Sequence, residues 1–168
     1  RPATIRCLSV VVSYLSGLTI LVSPRIDSAA SHGARLFGSQ NSRKCDVAGP
    51  LAGYRVLDLS RILAGPWLAQ LLSDLGAEVW KIERPGTGDD TRQWGPPFLR
   101  KDDGIDTTES AYFLSANRGK HSICVDISTD EGSAIVRALA QQADLVIENY
   151  KVGDMARYGL DYEALKSV

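Results

Sequence analysis

Cysteine is scarce in this 168-residue chain: Cys7, Cys45 and Cys124 stand far apart. Three such residues make no disulfide framework, and no CxxC pair supplies the spacing of a zinc site. Each reads as a free structural thiol. Histidine is scarcer still, and His32 and His121 have no second His or Cys beside them, so no metal site is expected. Net charge is almost missing, at −1, which removes the basic field that would recommend nucleic acid as a partner. Internal repeats and low-complexity tracts are absent. So are the Walker phosphate loop, the dinucleotide glycine fingerprint and any Ser-His-Asp or Cys-His arrangement. What is there is 44% hydrophobic and 23% charged, the balance of a soluble globular protein and not of a collagen, a coiled coil or a disordered chain. The length suits one domain with a single core.

Charge is unevenly spread. Residues 1–49 hold six basic residues (Arg1, Arg6, Arg25, Arg35, Arg43, Lys44) against Asp27 and Asp46, a net of +4, and residues 50–168 carry −5. Eight serines and no clear core pattern make the first segment resemble a targeting peptide, and the expected destination is the mitochondrion. Cys7 to Pro24 is free of charge and rich in Leu, Val and Ile. It reads alternatively as a secretory h-region or a marginal membrane span. Ser9, Ser13, Ser16, Gly17 and Thr19 weaken the span, so no stable membrane association is expected. The chain opens on Arg1, which reads as an incomplete or poorly defined N-terminus; a stretch wrongly joined to the gene is the remaining alternative. Residues 1–49 are therefore set apart as a targeting or disordered segment, and 50–168 as the folded domain.

Within the folded part, Tyr54 to Leu59 reads as a strand, Ser60 to Gly65 as a loop, and Pro66 as the first turn of a helix. Leu68, Leu71, Leu72 and Leu75 form a helical stripe, closed by Gly76. Val79 to Ile82 is a second strand, so the unit is strand–helix–strand with parallel strands. Pro85 to Asp106, with its prolines and glycines, reads as a long loop in which Asp89, Asp90, Asp102 and Asp103 are solvated charges. A short helix at Ser110–Leu114 and a third strand at Ser122–Ile127 follow. Ser128-Thr-Asp-Glu131 is a capping box opening a helix whose inner face is Ile135, Ala138, Leu139 and Gln142. Asp144 to Glu148 is a fourth strand, and Asp154 to Val168 holds two short helical pieces. The fold class is α/β, a Rossmann-like, mainly parallel sheet with flanking helices.

Ligands of open parallel sheets bind outside the carboxyl ends of the strands. Here those ends deliver Ser60–Gly65, Glu83-Arg84-Pro85 and Glu148-Asn149-Tyr150. A guanidinium, an amide, an aromatic ring and a turn entering a helix suit a phosphorylated, adenine-bearing ligand. Each residue also has a plainer reading. Arg84 could pair with Glu83 or Asp89 at the surface, Asn149 could be a strand-end turn residue, and Lys120 and His121 could be a solvated turn.

Pro50-Leu-Ala-Gly-Tyr-Arg-Val-Leu-Asp-Leu59, Leu63-Ala-Gly-Pro66 and Leu75-Gly-Ala-Glu-Val-Trp-Lys-Ile-Glu-Arg-Pro-Gly86 together resemble the opening of a family III CoA-transferase. Asn117-Arg-Gly-Lys120, and Val146-Ile-Glu-Asn-Tyr150 followed by Gly153 and Arg157, continue the resemblance in order. Gly88 to Phe98 is similar to the succinyl-CoA-dependent dicarboxylate transferases, a run that the family's racemases usually lack. The resemblance implies CoA transfer from a donor such as succinyl-CoA to a carboxylic, dicarboxylic, acid; an α-methylacyl-CoA racemase and a non-catalytic CoA-binding fragment are the alternatives. It implies that Leu63 and Ala64 line the CoA site and that Arg84 meets its nucleotide end. It places Val125 to Ser128 near adenine, and Asn149, Tyr150 and Lys151 at the pantetheine and nucleotide. Arg157 becomes a further phosphate-side arginine, while Ser128 stands where some relatives carry Lys. The family's nucleophilic aspartate is matched by none of Asp58, Asp89 or Asp126 and is expected beyond Val168, so this stretch alone is expected to be inactive. The resemblance further implies no permanently bound cofactor, with CoA as a substrate. Relatives dimerise as interlocked rings, which a fragment this short is not expected to close.

Overall fold

The structure, a computed structural model, describes residues 19–22 and 49–166. Its elements are β1 (Thr19–Val22), β2 (Arg55–Asp58), α1 (Ala64–Asp74), β3 (Glu78–Glu83), β4 (Phe98–Arg100), β5 (Asp106–Ser110), α2 (Ala111–Asn117), β6 (Lys120–Cys124), α3 (Asp130–Ala140), β7 (Leu145–Glu148) and α4 (Tyr162–Leu165). Two 3-10 turns, Asp90–Gln93 and Met155–Tyr158, punctuate the loops. Strands β7, β2, β3 and β6 lie parallel in that order, and β1 runs antiparallel along the outer side of β7. The expected parallel α/β sheet is present. Thr19–Val22, from the first segment, pairs antiparallel with β7; the rest of residues 1–48 lies outside the described residues. Among the described residues no helix is long and apolar enough to cross a membrane.

Strand alternation divides the core between the two faces of the sheet. Val56, Val79 and Ile147 join Ala69 of α1 on one side. Leu57, Ile82 and Val146 join Val136 and Ala140 of α3 on the other, where Met155, Leu160 and Leu165 complete the cluster. Gly76 ends the α1 turn at φ +102°, a conformation that glycine takes without steric cost.

Both helical faces differ from the periodic reading. On α1, Leu68 and Leu72 pack inward, but Leu71 and Leu75 are exposed, and the buried residues are Gly65, Pro66, Ala69 and Gln70. Small side chains let the helix lie close to the sheet, and close approach outweighs the leucine stripe. On α3, the buried face is Gly132, Ser133, Val136 and Ala140, one position on from the expected one; Ile135 is exposed, while Leu139, partly buried, still packs against the core. The cap shifts likewise: Thr129, not Ser128, accepts the Gly132 N–H at 3.0 Å. Ser128 is drawn away because its hydroxyl donates to Asp126 Oδ1 at 2.6 Å. The third strand also ends early, at Cys124, so Val125–Ile127 run off the sheet into a turn. Residues 85–106 are not a plain loop, since β4 pairs antiparallel with β5.

Candidate functional site

Strand register brings charges together that lie far apart in sequence. Asp58 pairs across with Lys81, and Val79 with Lys120. By alternation Asp58, Lys81, Glu83 and Lys120 all face the α1 side of the sheet. Val56, Val79 and Ile147 make the rest of that face apolar. Lys120 Nζ donates to Asp58 Oδ2 at 2.9 Å, to the Pro66 carbonyl at 2.8 Å and to Asn117 Oδ1 at 2.9 Å. Burial lowers its pKa to about 8, although the Asp58 carboxylate pulls the other way. Lys81 Nζ lies 3.0 Å from Asp89 Oδ2 and donates to the Ser60 carbonyl, with only 1% of each ionic side chain exposed. Burial penalises the Asp89 carboxylate, yet the Lys81 ammonium and the Thr91 donors outweigh it and hold its pKa below the usual value. Glu83 is likewise penalised by burial and held low by a bidentate Arg92 and by Ser122.

Asp89 is thus a buried counter-ion and not a solvated loop charge, and Lys120 is a strand residue and not a solvated turn. Nothing in the local sequence separates Lys81, Glu83, Asp89, Arg92 or Lys120 from surface charges; only the register does. Asp102 and Asp103 are exposed, as expected.

Above this network a cleft opens at the carboxyl edge, lined by Leu59, Arg61, Ile82, Glu83, Arg84, Gly88, Asp89, Val125, Ile127 and Tyr150. It continues past Gly86, Thr87, Arg92, Gln93 and Cys124. Three of the expected ligand residues, Arg84, Val125 and Tyr150, meet in it. Arg84 is 53% exposed and pairs with neither Glu83 nor Asp89; its Nη1 stands 3.9 Å from Asp90 Oδ1. Arg61, which the sequence reading did not single out, pairs with the same Asp90 and places its guanidinium carbon 5.9 Å from the Tyr150 ring centroid. Burial pushes the Tyr150 phenol up, partly offset by Arg61 and Arg84. Leu63 and Ala64 are exposed at the start of α1, outside the lining. Asn149 bonds the Arg61 backbone through both ends of its amide. Ser128 is committed to Asp126. Lys151 and Arg157 are exposed, and Arg157 donates to Asp154 at 2.8 Å.

The arrangement is that of an α/β domain with a cleft at the carboxyl edge of its parallel sheet, lined by Arg61, Arg84 and Tyr150 among others. Residues 51–168 match CoA-transferase family III, and the chain belongs to that family. It is 55% identical over 117 residues to the succinate–glutarate CoA-transferase of Agrobacterium fabrum, covering 70% of this chain and 29% of that one. It is 48% identical over 136 residues to the mouse succinyl-CoA:glutarate CoA-transferase, covering 81% and 30%. Among solved structures, a CAIB/BAIF family protein from Brucella suis superposes with a TM-score of 0.66 at 54% identity, over 71% of this chain and 31% of that one. The chain therefore spans about 30% of the length of such relatives.

Proposed function

We propose that the protein containing this chain transfers CoA from succinyl-CoA to a dicarboxylic acid, and that the cleft receives the nucleotide end of CoA. One observation carries the placement: Arg61 and Arg84 converge on a single carboxylate, Asp90, beside the Tyr150 ring. A phosphate can take the place of that carboxylate in a charge-assisted fork. Val125, Ile127 and Tyr150 then offer adenine an apolar and aromatic wall. Leu63 and Ala64 would flank the thioester arm, and Lys151 and Arg157 are exposed cations able to reach further phosphate oxygens. Ser128 would contribute backbone more readily than its committed hydroxyl.

Group transfer in this reading forms an anhydride between a protein carboxylate and the donor's acyl group, releasing CoA thiolate. The thiolate attacks the anhydride at the protein's acyl carbon, giving an enzyme thioester and the donor's free acid. The accepting acid then takes the thioester by the same two exchanges in reverse. Asp58, Glu83 and Asp89 are poor candidates for that carboxylate, because each is buried against a cation. The attacking group is assigned to a residue beyond 49–166. An interlocked homodimer and a mitochondrial location, the latter supported by the +4 charge of residues 1–49, belong to the same proposal.

The test is an assay of the full-length protein with succinyl-CoA and glutarate. Appearance of glutaryl-CoA and free succinate in equal amounts is expected. Failure to transfer CoA to any dicarboxylate of similar length overturns the reading.

A further inference from the structure

The turn between β2 and α1 holds Ile62 at φ +72°, in the left-handed region. A β-branched side chain is a genuine outlier there and persists only where its surroundings over-determine it. The surroundings here are specific. Asn149 Oδ1 accepts the Arg61 N–H at 2.8 Å, and Asn149 Nδ2 donates to the Arg61 carbonyl at 2.7 Å. Only one orientation of the amide satisfies both bonds. Asp89 Oδ1 lies 3.4 Å from the Ile62 N–H, and Lys81 holds the Ser60 carbonyl at 3.0 Å. Three consecutive residues are thus gripped by side chains from β3, from the loop after it and from the end of β7.

We propose that Asn149 is a positioning residue: its amide clamps the Arg61 peptide, and the clamp keeps Ile62 left-handed so that the turn presents a fixed edge to the cleft. Both ends of the amide are occupied by backbone, which leaves one Nδ2 hydrogen and one Oδ1 lone pair for a ligand. The clamped residue is Arg61, whose guanidinium reaches Asp90 and Tyr150. Loosening the turn therefore displaces a cation of the cleft. The effect on CoA rests on the function proposed above; the clamp itself does not.

A double-mutant cycle in the full-length protein tests this. Glycine accepts a positive φ freely, so Ile62→Gly removes the strain that the clamp has to hold. With Ile62 in place, Asn149→Ala is expected to weaken CoA binding about tenfold, and with Ile62→Gly by less than about threefold. A direct ligand contact at Asn149 gives the same loss in both backgrounds, and that result overturns the proposal. Amide hydrogen exchange without ligand reads the clamp independently of CoA. The Arg61 amide should exchange faster in Asn149→Ala while β2 and β3 amides stay protected; unchanged Arg61 exchange overturns the proposal. If the Ala variant does not fold, Asn149→Leu, which keeps the size and loses the acceptor of the Arg61 N–H, is read for the same faster exchange. Wild-type protein that shows the protected Arg61 amide but binds no CoA removes the CoA reading and leaves the clamp standing.

Discussion

Lys120 Nζ lies 2.9 Å from Asp58 Oδ2 across 62 residues of chain, with 2% and 0% of the two side chains exposed. Removing one partner of a buried pair leaves an uncompensated charge, so Lys120→Met should destabilise the fold by about 3–5 kcal/mol in urea unfolding. The pair also has a pH signature. The lysine is lowered from 10.5 to about 8 in the fold. Between those values the unfolded chain binds a proton that the native chain has released, so stability from this group rises with pH. The stability of wild type relative to Lys120→Met should therefore grow as pH climbs from about 8 toward 10. A difference that stays flat over that range refutes the lowered value.

Arg84→Ala should weaken CoA binding by the full-length protein about tenfold to a hundredfold, the worth of a charged hydrogen bond to phosphate. The fold should not suffer, since the long contact to Asp90 is a surface pair worth less than about 1 kcal/mol. Calorimetric titration of CoA into both proteins decides it, and equal affinities remove Arg84 from the site.

Gly132→Ala should destabilise the domain by about 1–3 kcal/mol. A Cβ at residue 132 would lie 1.8 Å from the Asp126 carbonyl oxygen. Either α3 lifts or the turn at 125–127 shifts, and that turn supplies Val125 and Ile127 to the cleft. Urea unfolding gives the first effect, and weaker CoA binding by the folded variant gives the second. A variant as stable as wild type contradicts the close approach.

Fusing residues 1–49 to a fluorescent protein tests the targeting proposal. Mitochondrial import of the reporter is the expected result; a secreted or evenly cytosolic reporter counts against it.

Much of the fold was legible. Val56-Leu57, Val79 to Ile82 and Leu145 to Ile147 are short β-branched and apolar runs, and each became a parallel strand. Helix existence was legible too, but not helix rotation. Ile135 and Val136 are equally apolar, and only the contact of Gly132 with the preceding turn decides which faces inward. At the site, Arg84 and Tyr150 could be named because strand ends carry ligands. Arg61 could have been found by the same rule, since it lies three residues beyond β2. Lys81, Asp89 and Lys120 could not, because a lysine in a strand looks the same whether its neighbour across the sheet is water or an aspartate.

Asn149 follows Arg61 by 88 residues, and a ribosome delivers them in that order. Strand β2 and its turn emerge early, when nothing yet holds Ile62 in its left-handed state. Peptide bonds made much later supply the amide that fixes it. Nascent chains halted before residue 149 can lay down β2, β3 and β6 side by side and still lack a finished edge. Strand β7 ends at Glu148, one residue before that amide, so completion of the sheet and closure of the clamp fall at the same late point of this stretch.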